Sequence, residues 1–224
     1  MRAAPDRECD ARVLDEIHAS VESYYSEKII AFGPVPAGAD WDSIITQDVR
    51  FLQLLRICDF SAPLALNDVG CGYGALLSYL SRYHGETEID YLGFDLSPAM
   101  IAQADRLQRD LSRAGFRVAA HSPRVADYSV ASGIFNVRLD HPVETWERYV
   151  GQTLVDMHAH SRRGLAVNFM TPDPVNADPE RLYCTMPEPW VQFARDRLRS
   201  SAKVVAGYGL REFTLLISTP DGGR

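Results

Sequence analysis

Residues 10–31, DARVLDEIHASVESYYSEKIIA, set Val13, Leu14, Ile17, Val21, Tyr24 and Tyr25 close to one stripe of 3.6-residue period, which predicts an amphipathic helix. The next stretch, FGPVPAGADW, holds two prolines and two glycines and should loop, with Trp41 at its end. Helical spacing returns over 43–59 through Ile44, Ile45, Val49, Leu52, Leu55 and Ile57. From residue 64 the pattern changes. Short apolar runs at 64–69, 91–94, 116–120, 128–132 and 165–170 read as strands, and stretches of helical period at 74–84, 98–113 and 143–161 separate most of them. Nearly continuous apolar strands joined by helices are those of a parallel sheet covered on both faces. In SPAM, Ser97 is placed to cap a helix with Pro98 in its first turn. After the proline-rich TPDPVNADPE, PWVQFARDRLRSS has helical period, and KVVAGYGL and REFTLLIST lie too close together for a crossover, so they predict an antiparallel hairpin. The expected fold is α/β: a doubly wound, mostly parallel seven-stranded sheet with one reversed edge. It forms a single domain, in which residues 1–60 are a helical cap segment and 61–224 carry the sheet.

The stretch LNDVGCGYGALLSYL places Gly70, Gly72 and Gly74 between a strand and a helix. Such a turn offers unpaired backbone N–H groups and the positive end of a helix, and missing side chains let a ligand approach the backbone. A tight turn alone is the plainer explanation, but three glycines in alternation at this place argue for a ligand. GCGYGA also satisfies the dinucleotide fingerprint GxGxxG/A. Asp68, two residues before the first glycine, favours another ligand, because a carboxylate there repels a pyrophosphate and attracts an ammonium group. A second acid, Asp95, ends the strand of YLGFDLSPAM, and a carboxylate at that tip can accept ribose hydroxyls. Helix capping would also account for Asp95, but Ser97 sits better for that task. As a surface carboxylate, Asp95 should contribute little to the core.

Composition narrows the partners. Apolar residues make up 46% and charged residues 24% of the 224, and the formal charge of -7 comes with no Lys/Arg run longer than two. That leaves no electrostatic footprint for a nucleic acid or an anionic membrane surface. Cys9, Cys58, Cys71 and Cys184 show no CxxC spacing, which suggests neither a zinc site nor a disulfide framework. The segment MRAAPDRECDARVLDE is charged where a signal peptide would be apolar, and no apolar run approaches eighteen residues, so the cytoplasm is the expected compartment. His158 and His160 in HAH are two apart on a predicted helix and face different ways, so no metal is expected there.

Taken together, DVGCGYG, YLGFDLS and YSVASGIFN resemble the class I, Rossmann-like S-adenosylmethionine-dependent methyltransferases over roughly residues 60–219. More narrowly, YYSEKI, GADW, ASGIFNV and the late EFT resemble a group of bacterial methyltransferases. The resemblance implies S-adenosylmethionine as cofactor. Asp68 would sit near its amino group, Gly70, Cys71, Gly72 and Gly74 beneath its methionine and ribose parts, and Asp95 at the ribose. Leu96 and Met100 would flank the adenine. Where the family often carries an acid at the end of the third strand, this chain has His121 and Ser122, and the link to the fourth strand is too short for the usual helix. Ser132, Tyr25 and Lys28 complete the implied cofactor set, the last two from the N-terminal segment lying over the cofactor.

Reacting groups in doubly wound sheets lie beyond the carboxyl ends of the strands. SGIFNVRLDH therefore supplies Asn136 to orient an acceptor and His141, or Asp140, to take a proton; His141 could instead simply open the next helix. Trp41, Phe135, Tyr183 and Trp190 are the expected acceptor contacts. The long segment 171–190 should fold over the acceptor as a lid facing Trp41 and Asn136. The expected activity is methyl transfer to an oxygen or nitrogen of a small molecule. A non-catalytic binding or scaffold protein on the same fold is the alternative, with an NAD-dependent oxidoreductase more distant. No NPPY-type motif follows the fourth strand, which disfavours nucleobases and glutamine side chains as acceptors.

Overall fold

A computed structural model describes residues 10–108, 114–172 and 181–220. Helix α1 (Ala11–Phe32) starts where the Asp10 side chain accepts the Arg12 amide and stops at Gly33. The expected loop contains a short 3-10 turn, Pro36–Ala39, which the fixed φ of Pro36 favours. Helix α2 (Ile44–Leu54) is capped by Ser43, which accepts from the Thr46 amide, and it tightens into a 3-10 turn at Leu55–Ile57 short of the predicted end.

Seven strands follow: β1 (Leu64–Val69), β2 (Ile89–Asp95), β3 (Ala114–Val118), β4 (Ala126–Ala131), β5 (Ser161–Met170), β6 (Ser201–Ala206) and β7 (Glu212–Ser218). Helices α3 (Ala75–Tyr83), α4 (Pro98–Leu107), α5 (Val143–Ala159) and α6 (Pro187–Asp196) lie between them. The sheet order is β3-β2-β1-β4-β5-β7-β6. Only β7 runs antiparallel to its neighbours, and it is inserted between β5 and β6, so the reversed strand is internal rather than the expected edge. Its apolar run Phe213–Ile217 needs cover on both faces, whereas β6, largely exposed and carrying Lys203, tolerates the edge. Residues 119–125, between β3 and β4, carry no helix, as their number requires.

Alternate strand residues feed two cores. Val69, Ala131, Val167 and Phe213 face one that α1, α5 and α6 complete. Leu66, Val130, Ala166 and Leu216 face the other, closed by α2 and α3. The N-terminal helices thus cover the same sheet. Because β1 pairs in parallel with both β2 and β4, the crossovers diverge there and open a crevice at the carboxyl ends of the strands. No helix among the described residues is long and apolar enough to cross a membrane.

Candidate active site

The crevice holds a cavity of about 940 Å3 of atom-free space, mouth included. Its floor comes from the ends of four strands: Gly70–Gly72 after β1, Asp95 and Leu96 at β2, Ala119 and Ala120 after β3, and Ser132–Ile134 after β4. Helix α1 lies across it with His18, Val21 and Tyr25, while Trp41, Gln47 and Phe51 close the side towards α2.

Asp68 is 3% exposed, and Tyr91 Oη donates to its Oδ2 at 2.5 Å. Burial, and secondarily the nearby Asp95 charge, push its carboxyl up to about 7 against the opposing Tyr91 hydrogen bond. Asp95 is half-buried, not a surface group: Oδ2 accepts the Gly72 amide at 2.9 Å and Oδ1 the Ser97 amide at 2.9 Å. Ser97 Oγ in turn accepts from the Met100 amide and caps α4, so the two residues share the turn. Burial raises the Asp95 carboxyl, and those amides oppose the shift. The Leu96 amide acts in the same sense, and the carboxylate, with about four acceptor sites, retains capacity for a ligand hydroxyl. Gly72 adopts φ +55, and a Cβ there would meet only Met100 Sδ, at 3.8 Å, projecting into the cavity. A buried carboxyl that a cation would ionise, a second one at a strand tip, and bare backbone between them fit S-adenosylmethionine.

A family profile described as a methyltransferase domain matches residues 67–152, from β1 into α5. A Mycobacterium tuberculosis (strain H37Rv) protein named as a methyltransferase, Rv1506c, is 40% identical over 164 residues, covering 73% of this chain and 98% of that protein. The chain belongs to the class I S-adenosylmethionine-dependent methyltransferases. Its fold is also that of the plantazolicin methyltransferase BpumL solved with S-adenosylhomocysteine, at TM-score 0.59 and 15% identity over 92% of this chain and 99% of that one. The [4+2]-cyclase SpnF shares the fold at TM-score 0.65 and 15% identity over 99% and 100% of the two chains.

Of the cofactor residues expected in this methyltransferase, Asp68, Gly70, Cys71, Gly72, Asp95, Leu96, Met100, Ser132 and Tyr25 come together on the wall, as does Trp41. The others lie elsewhere. Gly74 caps α3 just off the wall. Ser122 turns away, its amide and hydroxyl both donating to Asp156 on α5 at 2.8 and 2.7 Å. Lys28 Nζ is held by Asp40 Oδ1 at 2.6 Å, and Tyr24 Oη donates to the other oxygen, so this cation braces α1 against the 3-10 turn.

The catalytic and acceptor expectations need larger corrections. His141 is off the wall, its Nε2 2.7 Å from Ser20 Oγ of α1 and its ring parallel to that of Trp146. Phe135 and Trp190 are fully buried in the core, each stacked on Phe169 at 5.4 and 5.3 Å between ring centroids. Tyr183 is buried too, and its hydroxyl donates to Glu147. Large aromatic rings beside the strand ends fill the core under α5 and α6 in preference to the crevice. For the expected lid, residues 173–180 lie outside the described part. Residues 181–190 meet the Asn136 loop, as the Tyr183 amide donates to the Asn136 carbonyl at 2.8 Å and Leu182 bridges to Val137, but none of them lines the cavity. Asn136 is thereby buried behind Gly133, with its Oδ1 unpartnered among the described residues.

A buried polar chain closes the α2 side. Arg50 stacks over Trp41, 4.0 Å from guanidinium carbon to ring centroid, and grips both carboxylate oxygens of Glu212. Asn168 Nδ2 donates to Glu212 Oε2 at 2.7 Å, and its Oδ1 accepts the Gly133 amide at 2.7 Å. The Trp41 ring lies against Gly133, where a Cβ would fall 2.2 Å from Trp41 Cη2. Gln47 and Arg50, polar residues on the buried stripe of α2, and Glu212, the lone acid at the head of an apolar strand, were the signals in the chain.

Proposed function

We propose that this methyltransferase alkylates an oxygen or nitrogen of a small-molecule acceptor held against Trp41, Gln47, Phe51 and Tyr73. The observation that carries this reading is the shared cavity: the Asp68–Gly72–Asp95 cradle and the aromatic wall of α2 enclose one space, roofed by α1, that suits a compact organic molecule and excludes a polymer. When bound, the cofactor supplies a methyl group already activated on a sulfonium. The chain then has to orient the acceptor and keep water out.

Asp68 binds the cofactor's amino group, Asp95 its ribose hydroxyls, and Leu96 and Met100 pack beside the adenine. Tyr25 presents its ring from the roof. Tyr73 donates to Gln47 Oε1 at 3.2 Å, and burial raises its hydroxyl, which stays protonated at neutral pH. Tyr73 therefore orients and does not act as a base, and the Gln47 amide is its partner in aligning the acceptor. Asn136 and His141 support the loop and the roof from behind, in place of direct catalytic roles. Such a site serves acceptors that bring their own lone pair, a neutral amine or a readily ionised hydroxyl.

The test is a panel of small amines, phenols and carboxylic acids incubated with methyl-labelled cofactor, read by mass spectrometry of the product. Label appearing in at least one compound and lost in Gln47→Ala, while S-adenosylhomocysteine binding stays within about threefold, supports the reading. Transfer to carbon, or to protein or nucleic acid alone, overturns it.

A further inference from the structure

Helix α1 carries His18, Val21 and Tyr25 on its cavity-facing side, and His18 has no role so far. Its neighbours locate it. The imidazole meets the Tyr149 ring edge-on with centroids 5.8 Å apart, and the His121 ring at 6.2 Å. His121 directly follows Ala119 and Ala120, the wall residues beyond β3. In the order β3-β2-β1-β4 this is the end of the crevice beyond Asp95, away from Gly133 and Trp41.

Few polar side chains serve that end. Ala119, Ala120 and Leu96 have none to offer, and Thr153 Oγ1 is committed to the Tyr149 carbonyl at 3.0 Å. Ser122, expected to replace the acid that this fold family often carries there, is committed to Asp156. His18 is half-buried, and neither of its ring nitrogens has a hydrogen-bond partner among the described residues. A cofactor lying with its ribose at Asp95 puts its purine here.

We propose that His18 reads the purine of the cofactor, accepting a hydrogen bond from the exocyclic amino group of adenine through a neutral ring nitrogen and so selecting adenine over purines that lack that amino group. The inference rests on Asp95 as the ribose-binding carboxylate. The charge state agrees with the role. Burial lowers the His18 pKa, the nearby His121 lowers it further, and Asp15 opposes both, so the ring is neutral and able to accept at pH 7. The other groups near it are the Tyr149 ring and, next to His121, Asp156. Protonation would remove the acceptor.

Calorimetry with two ligands tests this: S-adenosylhomocysteine and its analogue carrying hydrogen in place of the exocyclic amino group of the purine. The wild type should prefer the adenine compound by about tenfold or more near pH 7.5, the scale of an unpaired polar group in a site built to bond it. His18→Leu should bring the two affinities within about threefold, with an unchanged melting temperature. His18→Gln, which keeps an acceptor oxygen, should restore most of the preference. As the pH is lowered through the His18 transition, which burial places below the ordinary 6.5, the preference should shrink in the wild type and persist in His18→Gln. If His18→Leu discriminates like the wild type, or loses both ligands equally, the assignment to His18 is wrong. Should His18→Leu fail to fold, the pH response of His18→Gln decides alone. If the wild type binds neither ligand, the ribose reading of Asp95 fails and takes this inference with it.

Discussion

In Asp68→Asn a buried carboxyl becomes an amide of nearly the same size that still offers Tyr91 an oxygen, so the fold should hold while the charge is lost. Burial is the main reason that the wild-type carboxyl sits at about 7 instead of its ordinary 3.8. The sign follows from linkage. The folded, ligand-free protein prefers the protonated acid, so this group's contribution to stability is present at low pH and is lost as pH rises through 7. A bound ammonium group prefers the carboxylate, so below pH 7 binding must release one proton. Affinity for S-adenosylmethionine should therefore rise about fifteenfold from about pH 5.5 to pH 7. It should then turn down where the cofactor's own amino group loses its proton, at about 7.7–8.0 for an ordinary α-amino group. In the Asn variant the acid limb of that curve flattens. At pH 7 one charge-assisted hydrogen bond is missing, about 1.5–3 kcal/mol or roughly 10- to 150-fold in affinity. Titration calorimetry in two buffers of different ionisation enthalpy counts the proton directly. A wild-type affinity that is flat or falling between pH 5.5 and 7, or an Asn variant that binds as well as wild type at pH 7, refutes the placement of the amino group at Asp68.

Asp95→Ala should abolish measurable cofactor binding, a loss above about 100-fold, and should also lower the melting temperature, because the Gly72 and Ser97 amides lose their acceptor. The two glycine variants should part ways. In Gly72→Ala the Cβ has room, so stability falls by only about 1 kcal/mol from the left-handed φ while S-adenosylhomocysteine affinity drops. In Gly133→Ala the Cβ meets the Trp41 ring, and chemical denaturation should show a loss of about 2 kcal/mol or more. Glu212→Gln leaves the Arg50 charge buried without its counterion, so denaturation should register about 3–5 kcal/mol, and replacing both Arg50 and Glu212 by apolar residues should recover part of that loss.

The chain announces the sheet and the glycine turn with its two flanking acids because both are local. Continuous apolar runs, the alternating glycines and acids at two strand tips depend on neighbours a few residues away. The inserted β7 is harder to read: hairpin spacing signals antiparallel pairing, but which strand of the pair lies inside depends on comparing the unbroken FTLLI with the Lys-bearing SAKVVA. The acceptor side misleads for a physical reason. Phe135, Tyr183 and Trp190 come after strand ends, as site residues do, yet rings of that size gain more from stacking on Phe169 under α5 and α6 than from lining a crevice. Lys28 and Ser122 are in the right region, but Asp40 and Asp156 claim them, and partners across the fold cannot be counted from spacing. His18 lies within the predicted stripe of α1, four residues after Leu14 and three before Val21, and a histidine among those apolar positions was the signal the spacing offered.

Arg50 and Glu212 are separated by 162 residues, and β7, which bears Glu212, is the last strand described. On the ribosome α2 emerges early, carrying a guanidinium that cannot be taken out of water until its carboxylate arrives. Helix α2 can form at once from its own cap, but docking it against the nascent sheet is penalised until almost the whole domain has been synthesised. Trp41 and the α2 wall of the cavity are thus assembled late, after β1, β2 and the glycine loop between them have been synthesised. A nascent or truncated chain lacking β7 should expose α2 to chaperones and proteases while its glycine loop is already complete.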